Sequence, residues 1–476
     1  MDLHVTFTSR RDLVGQLHRQ IRAAIVEGRL RPGERLPATR EFAERLGVSR
    51  YTVGVAYDRL VADGLVQGRA GAGSFVTEQP KDATELRAPA TALRPTPIWA
   101  SIRAVSGLDA TPRYDFRAGL PDARLFPFKT WRRLMAEQLR GSVVGRGNYG
   151  EPAGDSRLRA AIARHVGVAR GVIADAEDVV VTTGCQQAVD LIARVLLAPG
   201  DTVAVEAPGY QAPRELLRSH GLHVVGVRVD AEGLVVDELP DDARLVYVTP
   251  SHQFPLGMAM TAARRMALLA WAEAHGAAVI EDDYDSEFRY GAGTVDPLLC
   301  LDHSGRVIYV GTFAKTMLPA LRLGFLIAPP SLRTALRKAK YVSDWHTAQP
   351  TQGALAEFIS SGMFARHIRS MRRAYGVRHE LITEVLRREF TDWLTPVDSS
   401  VGLHIAALAP RHSVTQITGV IQRAAANGVG IFRLSAFGYG DHVPAGFVIG
   451  YGAIAPEDIE DGLRHLRDAL PLARSG

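Results

Sequence analysis

Lys315 and Arg322 stand seven residues apart in the stretch Val310-Gly311-Thr312-Phe313-Ala314-Lys315-Thr316-Met317-Leu318-Pro319-Ala320-Leu321-Arg322-Leu323-Gly324. The run Arg306-Val307-Ile308-Tyr309-Val310 ahead of it reads as a buried strand, followed by a small polar turn. A lone lysine is normally a solvated surface charge. In an apolar stretch behind a buried strand, an ammonium is expensive unless it has a task or a partner. A lysine whose pKa shifts in such a place can form a Schiff base with an aldehyde cofactor. An arginine nearby can clamp a phosphate through two parallel hydrogen bonds.

Three further stretches carry groups of related character. Thr182-Thr183-Gly184-Cys185-Gln186-Gln187 follows a strand and opens a helix. Free N–H groups and the helix dipole make such a corner an anion site, although an ordinary strand-to-helix turn reads the same way. Glu206-Ala207-Pro208-Gly209-Tyr210 sets an aromatic at a strand end, either stacked on a flat ring or simply half-buried. Ile280-Glu281-Asp282-Asp283-Tyr284-Asp285-Ser286-Glu287-Phe288 gathers acids behind another buried strand. Acid clusters often bind metal, but no histidine lies in this run. A buried carboxylate can instead pair with a pyridinium nitrogen, and metal stays the weaker alternative.

The elements around these stretches alternate. Val179–Val181 is a strand and 186–197 a helix; Thr202–Val205 is a strand and 212–219 a helix. Strands at 223–227, 245–248 and 277–281 follow, with a helix over 262–275 before the last. Helical crossovers dictate an α/β, doubly wound, mostly parallel sheet over residues 114–476. Ligands in such sheets bind at the carboxyl ends of the strands, where all four stretches fall.

Residues 1–78 read differently. Leu13, Leu17, Ile21, Ala24 and Ile25 mark a first helix; Thr39 caps a second, stopped by Gly47; Ser49 caps a third, ended by Gly64. Leu65 to Val76 alternates into a hairpin with a glycine-rich tip. Three helices and a hairpin make a winged helix-turn-helix. This stretch holds twelve arginines, no lysine and nine acidic residues, a net charge of +3. That is too modest to establish nucleic-acid binding by itself; placement matters more. Residues 79–113, with Pro80, Pro89, Pro95, Pro97 and Pro112, read as an extended tether, within which Ile98–Leu108 has room for a short docking helix.

The whole chain has a hydrophobic fraction of 46%, a charged fraction of 22% and a net charge of +5. These values suit a globular chain with a sizeable core. Two cysteines, Cys185 and Cys300, argue against a disulfide scaffold or a cysteine-rich metal site. No apolar signal segment opens the chain and no apolar run is long enough to span a membrane, so the cytoplasm, at the nucleoid, is the expected location.

The motifs Leu36-Pro37-Ala38-Thr39-Arg40 and Leu46-Gly47-Val48-Ser49-Arg50, with the glycine-rich wing, resemble the DNA-binding domain of the GntR family. The lysine stretch and its three companions resemble fold-type I pyridoxal-phosphate (PLP) proteins. Thr249-Pro250-Ser251-His252-Gln253-Phe254-Pro255-Leu256-Gly257 and Asn148-Tyr149-Gly150-Glu151-Pro152-Ala153-Gly154 narrow this to the MocR subfamily of GntR regulators. The resemblance runs from about residue 10 to 470 and implies a winged helix-turn-helix joined to a fold-type I PLP domain with a small C-terminal α+β subdomain. It implies that Lys315 forms the Schiff base, Asp282 holds the pyridine nitrogen, Tyr284 the ring oxygen O3′, and Tyr210 stacks on the ring. His252 lies near O3′. Gly184, Cys185 and Gln186, with Thr312 and Arg322, meet the phosphate, and Tyr149 reaches the site of the partner subunit in a domain-swapped homodimer. On operator DNA it places Arg40, Ser49, Arg50 and Thr52, with Arg69 and Gly71 from the wing. Helix three enters the major groove, with Arg40 or Arg50 on guanine and Ser49 and Thr52 on phosphate.

The chain departs from the aminotransferase pattern where a substrate carboxylate is held. Ala453 stands in place of the usual C-terminal arginine, Ala212 occupies a second anchor position, and Arg433 is the only substitute in view. The reading is a regulator sensing PLP or a PLP–amine adduct, tied to vitamin B6, amine or amino-acid metabolism. The alternative is an aminotransferase with an accessory DNA-binding domain.

Overall fold

The computed structural model describes residues 5–7, 9, 12–69, 72–77, 93–103, 111–144, 147–291, 296–440 and 444–471. The chain divides into two compact units, Met1–Pro95 and Thr96–Gly476.

The first unit holds helices Leu13–Val26, Thr39–Leu46 and Arg50–Ala62 and an antiparallel hairpin of Val66–Arg69 with Gly73–Val76. Leu17, Ile21, Phe42, Val53, Leu60 and Val76 are buried together at its centre. Each such side chain contributes roughly 1.5–3 kcal/mol of burial free energy. The third helix starts as expected: the Ser49 hydroxyl accepts the Thr52 N–H at 3.1 Å. The second does not. Its cap is Ala38, which makes no side-chain cap bond, and Thr39 already lies inside the first turn. Gly47, at φ 64°, ends that helix in the left-handed region, where glycine carries no Cβ penalty.

The second unit is built on an eight-stranded sheet. Its spatial order is Val179–Thr182, Gly324–Ile327, Val307–Thr312, Ala278–Asp283, Ala243–Val248, Thr202–Ala207, His223–Asp230 and Gly233–Leu234. The pairings are parallel except around Gly324–Ile327 and at the edge pair with Gly233–Leu234. Nearly every residue of the central strands is buried, because helices cover both faces. The strand Gly324–Ile327 escaped the sequence reading: it is four residues long and follows a tight left-handed turn at Arg322, φ 49°.

A second, five-stranded sheet forms the C-terminal subdomain, in the order Thr395–Pro396, His404–Leu408, Gly446–Gly450, Val429–Arg433, Tyr114–Phe116. The long helix Met363–Glu389 and the helices Val414–Ala426 and Ile459–Asp468 pack on it around Tyr375, Phe390, Phe447 and Leu463. Tyr114–Phe116 comes from far upstream and pairs in parallel with Val429–Ile431. Of the segment read as a tether, Ile98–Ser101 is a short helix; the nearby Gln211 side chain donates to the Arg103 carbonyl at 3.2 Å, and Arg218 to Ser101 at 3.2 Å. Among the described residues no helix is long and apolar enough to cross a membrane.

Candidate functional site

Strands Val307–Thr312, Ala278–Asp283 and Ala243–Val248 lie side by side, with Val310 opposite Asp282 and Val248 opposite Glu281. Their carboxyl ends therefore deliver Lys315, the acidic run and the Thr249–Gly257 run to one place. Lys315 donates from Nζ to the Gly119 carbonyl at 2.7 Å. Burial pulls its pKa below the usual lysine value, against the opposing pull of Asp285 and Asp282.

The acids of the run have separate partners. Glu281 accepts the N–H groups of Leu298 and Leu299 at 2.9 and 3.0 Å. Asp283 accepts from Arg170 at 2.8 Å and from the Tyr309 hydroxyl at 2.6 Å. Asp285 lies 2.9 Å from Nδ1 of His252. Asp282 accepts the Tyr247 hydroxyl and the Cys185 thiol, the latter at 3.0 Å, both on Oδ2, while its buried Oδ1 has no partner. Burial pushes Asp282 up to about 6, with the Tyr247 and Cys185 bonds pulling the other way.

Around this pair the side chains are mostly rings. The Tyr284 hydroxyl donates to the His252 carbonyl at 2.9 Å. His252 is packed between Tyr284 and His404, with centroids 5.7 and 4.6 Å away, and its buried Nε2 is unpartnered. Tyr210, half exposed, sets its ring edge-on to Phe254 at 5.6 Å. Phe254 also touches Tyr284, His404 and Phe437. Among the described residues His252, Asp285 and His404 form the one group with metal-ligand chemistry, their atoms within 4.8 Å of one another. Asp285 and His252 are hydrogen-bonded to each other, and His404 Nε2 sits 3.1 Å from the Pro255 carbonyl.

The anion corner is assembled by backbone. Gly184 caps the helix Cys185–Leu196 at φ 105° and ψ 177°. A Cβ on Gly184 would lie 3.1 Å from an Arg322 guanidinium nitrogen. The first N–H groups of any helix lack partners within it, so those of Cys185 and Gln186 sit at the corner that Arg322 flanks. Gly324 approaches so closely that a Cβ there would come within 2.8 Å of the Gly184 Cα. Thr312 accepts the Ala314 N–H at 3.1 Å, shaping the turn into Lys315. The Gln186 side chain donates to the Ala212 carbonyl at 3.1 Å. Tyr149 is 74% exposed and stacks on Trp345 at 4.4 Å.

These features form a pocket with a lysine, a carboxylate oxygen lacking a donor, and an arginine beside a helix N-terminus. That donor set fits PLP. Tyr247, His404, Phe254 and Gly119 belong to the site and were not singled out from the sequence. Tyr247 sits in a strand buried at every position but Arg244, and Gly119 acts through its carbonyl, so neither leaves a signal in residue type. Arg433, named as a substitute carboxylate anchor, donates instead to the Thr418 hydroxyl at 2.8 Å, on the helix Val414–Ala426.

In the first unit Arg40, Ser49, Arg50 and Arg69 are exposed. Arg40 reaches Glu44 at 3.4 Å and Arg69 lies over the Phe75 ring at 4.9 Å. Thr52 departs from the expectation of a DNA-facing hydroxyl: it is 9% exposed, and its Oγ1 is 2.8 Å from that of Ser49. The cap that starts the helix turns it inward. Gly71 lies outside the described residues. Tyr51, 79% exposed beside Arg50, is a further surface residue that the sequence reading passed over.

The architecture and the pocket are those of a class I and II aminotransferase domain, whose family model matches residues 118–431. The model of the bacterial regulatory proteins of the gntR family matches residues 13–76. The chain belongs to the MocR-type regulators of the GntR family, in which these two domains are joined. It is 39% identical over 97% of its length to the probable rhizopine catabolism regulatory protein MocR of Rhizobium meliloti, covering 94% of that protein. It is 32% identical over 96% of both chains to the pyridoxine biosynthesis regulator PdxR of Corynebacterium glutamicum. Among solved structures, Pyrococcus horikoshii kynurenine aminotransferase superposes with a TM-score of 0.70 at 26% identity, over 82% of this chain and 98% of that one. The protein is a transcription regulator with a DNA-binding domain, and its cofactor is pyridoxal 5′-phosphate.

Proposed function

We propose that the protein binds PLP at Lys315 and couples the state of that cofactor to operator binding. The observation that carries this is the buried, unpartnered Oδ1 of Asp282 in one pocket with Lys315, in a chain that also bears a GntR-type domain. Lys315 carries the cofactor, Asp282 holds the pyridine nitrogen, Tyr284 the ring oxygen, and His252 flanks that oxygen. Tyr210 covers the ring. The phosphate lies on the Gly184, Cys185 and Gln186 backbone, Thr312 and Arg322. The cofactor's aldehyde supplies an electrophile that captures a primary amine. Tyr149, exposed and stacked on Trp345, serves the partner's site in a domain-swapped homodimer. Arg40, Ser49, Arg50 and Arg69, with Gly71 of the wing, meet the operator, and the buried Thr52 steadies Ser49 from beneath. The effector is PLP or a PLP–amine adduct, the regulated genes serve vitamin B6, amine or amino-acid metabolism, and the protein works in the cytoplasm at the nucleoid. The names of MocR and PdxR support that range.

Regulation is favoured over transamination because Ala212 and Ala453 offer no cation and Arg433 faces Thr418. Steady-state transamination across amino donors tests this. Turnover near that of ordinary enzymes, about 1–10³ per second, would favour the enzyme instead. The decisive experiment for the cofactor is a visible spectrum with added PLP, then borohydride reduction and peptide mapping. The expected result is a pyridoxyl group on the peptide containing Lys315; a group fixed on another lysine, or none, refutes the assignment.

A further inference from the structure

The two oxygens of Asp282 stand in different states. Oδ2 takes the Tyr247 hydroxyl and the Cys185 thiol, while Oδ1 is buried with no partner. The two donors come from different elements: Tyr247 from the adjacent strand Ala243–Val248, paired with Ile280, and Cys185 from the first turn of the helix Cys185–Leu196. A carboxylate is symmetric, so nothing in its own chemistry selects which oxygen faces a ligand. Donors fixed on one side make that choice.

We infer that Tyr247 and Cys185 are positioning residues for the cofactor: by occupying Oδ2 they present Oδ1 to the pyridine nitrogen and keep Asp282 ionised to receive it. The inference rests on the PLP-binding reading above. Hydrogen bonds to the charged form of an acid favour that form. Burial and the neighbouring Asp283 oppose ionisation of Asp282, while the two donors and the Lys315 ammonium favour it. A protonated Asp282 has no charge with which to hold a protonated ring. The thiol is suited to this task and to little else. Burial and the neighbouring Asp282 push its pKa well above the usual cysteine value, so it stays a donor. Reactive and redox-sensing cysteines require thiolate.

PLP titration of the full-length chain between pH 6 and 9, followed by the visible band, tests the inference in Tyr247→Phe, Cys185→Ala and Cys185→Ser. Losing a hydrogen bond to a charged group weakens binding by about tenfold or more. Tyr247→Phe and Cys185→Ala are expected to bind that much more weakly at pH 7, with the midpoint of the pH dependence moved upward. Cys185→Ser keeps a donor and is expected to return toward the parent. Thermal melts matching the parent show that the fold is intact, and Cys185→Ala removes only one atom. Unchanged affinity and midpoint in both Tyr247→Phe and Cys185→Ala overturn the inference while leaving the cofactor reading standing. A parent chain that takes no PLP overturns both.

Discussion

At the scale of single residues, the site is a set of charges held where water would normally keep them. Asp282→Asn keeps the shape of the side chain and removes the charge. PLP affinity is expected to fall by roughly one to two orders of magnitude, the size of a hydrogen bond to a charged group, as fluorescence titration would show. Glu206 and Glu281 are both buried, and burial pushes each up to about 7, against the stabilising bonds each accepts. An acid whose folded pKa is raised adds stability below its unfolded value and loses it as pH climbs through the folded one. The cofactor-free protein is therefore expected to melt at lower temperature at pH 8 than at pH 5. Glu281→Gln, which cannot ionise, is expected to flatten that slope; an equal slope in the variant would contradict the assignment. Residue type alone announced Lys315, Arg322 and the acidic run, because charge in an apolar setting is conspicuous. It could not announce Tyr247 or Gly119, whose roles depend on which strand lies alongside and on a backbone carbonyl.

At the scale of elements, the pocket depends on strand ends meeting a helix start. Gly184 shows how little space remains: φ 105° disfavours any side chain, and a Cβ would crowd Arg322. Gly184→Ala is expected to cost about 1–3 kcal/mol of backbone strain, seen as a lowered melting temperature together with weaker PLP binding. Normal binding by a normally stable variant would show that the corner is not the phosphate site. The helices of the first unit and the strands and helices between residues 179 and 281 were legible, since apolar periodicity and length separate the two, whereas helices such as Ser156–Arg170 and Met363–Glu389 were not read from the sequence. Thr39 was misread as a cap because serine and threonine prefer that position statistically, whereas here Ala38 takes the extended conformation before the first turn. Gly324–Ile327 was missed because an antiparallel strand inside a parallel sheet has no helical crossover to announce it.

At the scale of the molecule, two compact units divide the work. Arg50, exposed at the start of the third helix, is at a distance in sequence from every residue of the pocket. Arg50→Ala is expected to abolish operator binding in a gel shift while the visible PLP band survives. Unchanged operator affinity would remove Arg50 from the interface. The joining of the two domains was legible because each carries its own motifs; the target genes leave no mark on residue chemistry.

The strand Tyr114–Phe116 gives the large unit an unusual order of assembly. Among the described residues its sheet partner is Val429–Ile431, about 300 residues downstream. During synthesis that strand cannot pair until Val429–Ile431 has been made. A truncation beginning at residue 118, where the aminotransferase match starts, would remove Tyr114 and Phe116, both buried in the core of the C-terminal subdomain, and uncover the apolar side chains packed against them. Exposed apolar patches recruit other chains. Such a fragment is expected to aggregate on size-exclusion chromatography, where one beginning at residue 111 elutes as a discrete species.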